Sequence, residues 1–239
     1  MESVKNIDHT SKNNKIFSAL KTAFPYTIPI MTGFCFLGLA YGIYMNILGF
    51  SFIYPTLMAA LIFGGSLEFI AATMLLSPFA PVQTFIVALM IQARHLFYGL
   101  AMLEKYKGLG WKRHYLIFGL CDETFAINYS ARTPNNIDRG WFYFFVTLLN
   151  QCYWVLSAAF GGLLGDVIEF DTKGLNFVMT AMFTVIFLEQ FLHEEKHITG
   201  VIGFLISMIC LILFGSNSFL IPTMLSIIAI LTIFRKYIE

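Results

Sequence analysis

Six ionisable side chains stand inside otherwise apolar stretches: Glu68, Arg94, His95, Asp122, Glu123 and Glu189. The plainest case is "VALMIQARHLFYGLAML", Val87 to Leu103, which reads as membrane-buried helix except for Arg94 and His95 at its middle. An ionisable group at bilayer depth costs about 2.5 to 3.5 kcal/mol on insertion scales, so such groups face the protein interior and pair. An arginine holds a carboxylate through its planar fork, acidic groups hold an ammonium, and a carboxylate or imidazole relays protons. A site carrying both signs of charge therefore suits an amino acid or a proton. Adjacent helical residues point about 100° apart. Arg94 and His95 thus cannot serve one partner, and neither can Asp122 and Glu123. Glu68, Asp122 and Glu123 are the counter-charges open to Arg94. The plainer alternative is interhelical ion pairs that lock packing, or a 94/95 pair that snorkels to an interface.

The surrounding composition sets these groups in a membrane. Of 239 residues, 58% are hydrophobic and 12% charged, against about 25% charged in a soluble domain. Runs without Asp, Glu, Lys or Arg extend over Thr22 to Leu67, Phe69 to Ala93, Gly140 to Gly165 and His197 to Phe234, and a spanning helix needs about 20 residues. The expected fold class is an all-α, polytopic membrane helix bundle of seven or eight segments. It comprises a polar cytoplasmic tail over 1–22 and one transmembrane domain over 23–239. Eight apolar segments are readable, roughly 23–49, 52–76, 82–103, 114–131, 141–164, 175–192, 198–214 and 218–234. The net charge of +1 argues against a nucleic-acid partner. Cys35, Cys121, Cys152 and Cys210 lie singly in apolar runs and imply neither a disulfide framework nor a metal cluster. No cofactor is called for.

With eight crossings and a cytoplasmic N-terminus, nine Lys and Arg residues face the cytoplasm: Lys5, Lys12, Lys15, Lys21, Arg132, Arg139, Lys196, Arg235 and Lys236. Five face outward: Lys105, Lys107, Lys112, Arg113 and Lys173. The positive-inside rule favours this orientation, yet four basic residues between 104 and 113 fall on the wrong side. That conflict predicts a broken or re-entrant neighbouring segment, which is tolerated only where backbone is buried in protein or lines a watery cavity. Gly64 and Gly65, beside Ser66 and Glu68 in "IFGGSLEFIAA", mark a helix interruption next to a carboxylate. The fourth segment is short and holds Asp122 and Glu123 near its centre. Discontinuous helices with polar groups at the midplane are how many secondary transporters build a substrate site. In "NQCYW", Asn150 and Trp154 lie one turn apart on one face, facing a cavity or making interhelical hydrogen bonds. Pro25 and Pro29 are expected to kink the first segment.

"GGSLEFIAATMLL", "ARHLFYGLAM", "FGLCDETFAI" and "YWVLSAAFGGLLG", in that order, resemble the large subunit of the AzlC-type branched-chain amino acid exporter family. The similarity runs from about Ala23 to the chain's end. It implies a multi-pass exporter of leucine, isoleucine and valine in the cytoplasmic membrane, working with a small AzlD-type membrane subunit. The motif positions carried over are Gly65, Glu68, Arg94, His95, Asp122 and Glu123. The family commonly has glutamine at the position of Glu68, which implies a binding or helix-orienting role there rather than an obligatory proton carrier. Members are often labelled permeases of ATP-driven systems. This chain has no G-x-x-x-x-G-K-[ST] loop, so ATP coupling would need another protein.

One motif points elsewhere. His193-Glu194-Glu195-Lys196-His197 fits H-E-x-x-H, the spacing of two zinc-binding histidines and a general base in metalloproteases. It falls where a short cytoplasmic loop is expected, with charged fill and no third ligand near a later helix. A membrane-embedded zinc protease is therefore the rival class, and a non-transporting accessory subunit a third. The sequence-level expectation is a transporter subunit, not an enzyme, whose substrate or proton path involves Gly64, Gly65, Glu68, Arg94, His95, Asp122, Glu123 and Asn150.

Overall fold

The computed structural model describes residues 2–131, 133–134, 137–167, 184, 188, 191–192, 197–215 and 219–233, with the side chains of the first helix from Lys15 onward. Glu189, His193 to Lys196, and the loop residues Arg132, Glu169, Asp171 and Lys173 lie outside them. All regular structure among the described residues is helical. This follows from the setting, because a helix satisfies its own backbone where no water can. The chain divides into two compact units, Met1–Leu175 and Asn176–Glu239.

The first unit holds α1 (Glu2–Ile47), α2 (Ile53–Leu61), α3 (Ser66–Leu75), α4 (Pro81–Ile91), α5 (Ala93–Met102), α6 (Lys112–Phe118), α7 (Asp122–Ser130) and α8 (Arg139–Val167). Two stretches are long and apolar enough to cross a membrane, Lys15–Ile47 in α1 and Arg139–Gly165 in α8. α1 begins inside the polar tail and continues through Pro25 and Pro29.

These two helices run side by side in the same direction. Tyr26 packs edge-on against Phe142 at 5.5 Å and Phe34 against Trp154 at 5.4 Å, and the Asn46 amide donates to the Gly162 carbonyl at 3.4 Å. Small residues permit the approach: a Cβ on Gly42 would stand 2.2 Å from the Ala158 oxygen, and one on Gly161 would stand 2.2 Å from the Leu39 oxygen. The basic start of α1 and the start of α8 therefore share one end of the unit.

Between them, the second and fourth apolar segments fold back on themselves. α2 starts where Phe52 meets Gly162, descends until the Ala60 carbonyl accepts from Gln151, and breaks at Ile62–Gly65. α3 then returns, placing Glu68 against Trp154 and Phe69 against Tyr41 and Tyr44. α6 enters from the opposite end. Lys112 pairs with Asp138 at 3.8 Å, Tyr115 reaches Gln151 at 2.6 Å, and Gly119 closes on Thr147. After the turn at Gly119–Cys121, α7 comes back, and Asn128 donates to the Tyr106 hydroxyl at 3.1 Å beside Tyr143. α4 and α5 form a third apolar pair, bent by 50° at Gln92. They pass from the α3 end to the cluster of Met102, Tyr106, Leu116, Ile137 and Phe142.

The 104–113 loop is the one whose side the charge count leaves in conflict. The loop sits with Tyr143 and Asp138 at the start of α8, hence at the same end as the basic start of α1.

In the second unit, α9 (Ile198–Phe214) packs against α10 (Leu220–Ile233), and the Phe191 ring stacks on His197 at 4.5 Å.

Single cysteines placed at Lys15, Ser51 and Lys107 in a chain lacking its four native cysteines test this layout. Lys107→Cys is expected to react with a membrane-impermeant thiol reagent from the same side as Lys15→Cys. Reaction from the side of Ser51→Cys would instead restore the eight-crossing arrangement.

Candidate functional site: a polar layer at three helix breaks

The break before α3 is held by its own side chains. Phe63 and Gly65 adopt positive φ angles of 47° and 50°, a region costly for phenylalanine and free for glycine. A Cβ on Gly64 would lie 2.4 Å from the Gln92 amide nitrogen, so only glycine admits that contact. The fully buried Glu68 stands in the first turn of α3, where the helix dipole favours negative charge. Its Oε1 accepts from the Gly64 N–H at 2.9 Å and the Gly65 N–H at 3.3 Å, and the Trp154 indole N–H donates to both carboxylate oxygens at 3.1 Å. The Gln92 amide donates to the Gly64 carbonyl at 3.2 Å. Donors and acceptors freed by the interruption are thus answered by α3, α8 and the α4–α5 bend.

At the bend itself, Gln92 ends α4 and precedes α5. Arg94 and His95 follow in the first turn of α5. Arg94 Nη1 pairs with Asp122 Oδ2 at 2.7 Å, which settles its counter-charge among the three the sequence leaves open. Asp122 opens α7, so it carries the third break. Glu123 lies beside Cys121 and near Asp122 and Arg94, with no salt bridge among the described residues. Asn150 donates to the Thr124 hydroxyl at 3.2 Å, and the Cys121 thiol contacts that hydroxyl at 3.1 Å. Asn150 and Trp154 therefore bind the two hairpins to α8.

Of the residues singled out in the sequence, Gly64, Gly65, Glu68, Arg94, His95, Asp122, Glu123 and Asn150 lie at the tips of the two hairpins, at the bend between them and on the facing turn of α8; Glu189 lies outside the described residues. Their surroundings differ. Glu68 has its hydrogen bonds satisfied. Arg94 Nε, His95 Nδ1, Gln92 Oε1, Asp122 Oδ1 and Asn150 Oδ1 are buried without a hydrogen-bond partner, and each such atom carries a desolvation cost of roughly 1 to 3 kcal/mol. The Arg94 and Asp122 side chains retain about a third of their exposure, at 35% and 28%.

Sequence reasoning missed Gln92, Gln151 and Thr124. Gln92 and Gln151 were discernible as amides interrupting apolar runs, two residues before Arg94 and one after Asn150. Gln151 links the hairpins, donating to the Ala60 carbonyl at 3.0 Å and accepting from Tyr115.

A helical membrane protein with interrupted helices around a buried layer of mixed charge has the architecture that secondary transporters place around their substrates. The chain belongs to the AzlC family: the family profile "AzlC protein" matches residues 29–168. It is 56% identical over 231 residues to the "Branched-chain amino acid transport protein AzlC" of Bacillus subtilis, covering 97% of this chain and 91% of the relative. It is 51% identical over 221 residues to an "Uncharacterized membrane protein" of Haemophilus influenzae, covering 92% of this chain and 91% of the relative. A Helicobacter pylori (strain 26695) "Uncharacterized membrane protein" is 34% identical over 226 residues, covering 95% of this chain and 99% of the relative. No solved structure matches the chain.

Glu68→Gln keeps a carbonyl oxygen for the two backbone donors, so membrane abundance close to wild type is expected in an immunoblot. Glu68→Leu leaves three buried donors unanswered at roughly 1 to 3 kcal/mol each, and abundance is expected to fall several-fold. Equal abundance of the two variants would contradict the clasp role of Glu68.

Proposed function

We propose that the chain is the large subunit of an exporter of branched-chain or similar apolar amino acids. Leucine, isoleucine and valine are its substrates, a small AzlD-type membrane subunit its partner and an ion gradient its energy source. The observation that carries the reading is the set of unpartnered buried groups beside the Arg94–Asp122 pair. Arg94 Nε and His95 Nδ1 would face the substrate carboxylate. Asp122 Oδ1, Asn150 Oδ1 and Gln92 Oε1 would accept from its ammonium, Glu123 would supply further negative charge, and Gly64 and Gly65 would let the backbone approach. Glu68 orients α3 through its bonds to Gly64 and Gly65. An apolar side chain suits the surround. Family membership and the transport name of the Bacillus subtilis relative support the substrate class.

In this reading the protein sits in the cytoplasmic, or inner, membrane with its N-terminus in the cytoplasm. The basic ends of α1, α5 and α8 then lie together on the cytoplasmic side, in keeping with the positive-inside rule. Of the seven or eight apolar segments, α2–α3 and α6–α7 are re-entrant. The relatives' names lend the zinc-protease reading no support.

Efflux of labelled isoleucine from cells preloaded through a dipeptide, with the small subunit co-expressed, tests the proposal. Arg94→Gln is expected to abolish efflux and also to reduce abundance, because it leaves the half-buried Asp122 without its counter-charge. Arg94→Gln combined with Asp122→Asn is expected to recover abundance without efflux, and His193→Ala to export normally. Export by the double variant at the wild-type rate would remove the site from these residues. Loss of function in His193→Ala at full abundance would return the protease to consideration.

A further inference from the structure

At the end of the first unit away from the hairpin tip of α2 and α3, a cavity of about 630 Å³ opens between the loop after α5 and the start of α8. Lys105, Lys107 and Arg139 line it, with Thr133, Tyr143 and Leu109. Among the described residues, Glu104 is its one acidic lining residue. It faces Lys107 at 3.9 Å with both side chains largely in solvent, where an ion pair contributes little. Lys105 donates to the Asn128 and Tyr129 carbonyls at the last turn of α7, which fixes its ammonium at the cavity wall. Burial, and then the positive charge of Arg139, pull its pKa below the usual lysine value. Arg139 has no salt bridge among the described residues. The neighbouring carboxylate of Asp138 is already engaged, by the Trp141 N–H at 2.9 Å and by Lys112.

Aromatic rings with a basic partner flank the segments that line the cavity. Trp111 packs edge-on against Trp141 at 6.2 Å, and the Lys112 ammonium lies 4.0 Å from the centre of the Trp141 ring. Aromatic rings with basic partners mark the headgroup level of a bilayer. Basic pockets at that level, on the side rich in Lys and Arg, are where acidic headgroups bind.

We propose that this cavity binds a phosphate-bearing anion, drawn from the headgroup of an anionic phospholipid or from soluble phosphate. Lys105, Lys107 and Arg139 surround the phosphate, Thr133 and Tyr143 supply hydroxyls, and Leu109 offers an apolar wall to the rest of a lipid. The site is separate from the buried polar layer and needs no amino acid to fill it.

The test compares thermal unfolding midpoints of the full chain in phosphatidylcholine nanodiscs, in discs with increasing phosphatidylglycerol, and in phosphatidylcholine discs with inorganic phosphate. The variants are Lys107→Gln and Lys107→Gln/Arg139→Gln, whose side chains carry no buried contact. A rise with phosphatidylglycerol and none with inorganic phosphate identifies the headgroup as the source; a rise with inorganic phosphate identifies the soluble ion. In either case the response should need about fivefold more anion in the single variant and about twenty-five-fold more in the double, since each basic group near an anionic surface contributes about 1 kcal/mol. Their midpoints in phosphatidylcholine alone should match wild type. No rise with either phosphate source, or an undiminished rise in the double variant, would overturn the site.

Discussion

Every interruption of a helix inside a bilayer leaves backbone donors and acceptors that no water can reach. The first unit is organised around answering them. Where α2 stops at Leu61 and α3 starts at Ser66, the freed N–H groups of Gly64 and Gly65 find Glu68, and the Gly64 carbonyl finds Gln92. Trp154 then ties the Glu68 carboxylate to α8. Removing any one partner leaves others stranded, so hairpin, bend and long helix stand or fall together. Small residues such as Gly42 and Gly161 bring α8 close to α1, Trp154 packs against both Phe34 of α1 and Glu68, and Asn150 and Gln151 reach the hairpins.

The charged pair obeys the same constraint. Arg94 and Asp122 each sit in the first turn after a break, so their approach fixes the bend of α4–α5 against the second hairpin. Apolar residues of equal volume would pack there at less desolvation cost. In the proposed function, keeping a charge pair with several atoms still lacking partners lets the layer take a ligand of both signs. Hairpins entering from opposite ends bring this layer to mid-depth from two sides. In the proposed function, a rearrangement of either tip would open the layer to one side or the other.

The helical class, the apolar segments and the interruption at Gly64 and Gly65 are legible in the sequence, since composition and glycine placement report them directly. The identity of the buried charges is equally legible, because an ionisable residue in a long apolar run stands out from its neighbours and must be turned toward a partner. Direction of travel is not. An apolar segment of about 25 residues, such as 52–76, has the same composition whether it crosses or turns back; the difference rests on two positive φ angles and a few contacts to α8. The misplaced basic loop at 104–113, the Gly64–Gly65 interruption and the short fourth segment were the signals of a turn. Likewise the helical angle between Arg94 and His95 excluded a shared partner but did not choose Asp122 over Glu68. The choice was made when Glu68 was drawn to the backbone N–H groups of Gly64 and Gly65, four and three residues before it. Gln92 and Gln151 went unnoticed because uncharged amides raise little alarm beside arginine and glutamate, although they carry the backbone contacts.

Gln151 is the residue at which both hairpins meet, through Ala60 from one end and Tyr115 from the other. The most direct measurement is thiol cross-linking in a chain without Cys35, Cys121, Cys152 and Cys210. It pairs Gln151→Cys with Ala60→Cys, and separately with Tyr115→Cys, using a short bifunctional reagent in native membranes. Two opposed hairpins predict efficient cross-linking of both pairs. Cross-linking of neither pair, or of one alone, would contradict a structure in which the hairpin tips converge on the middle of α8.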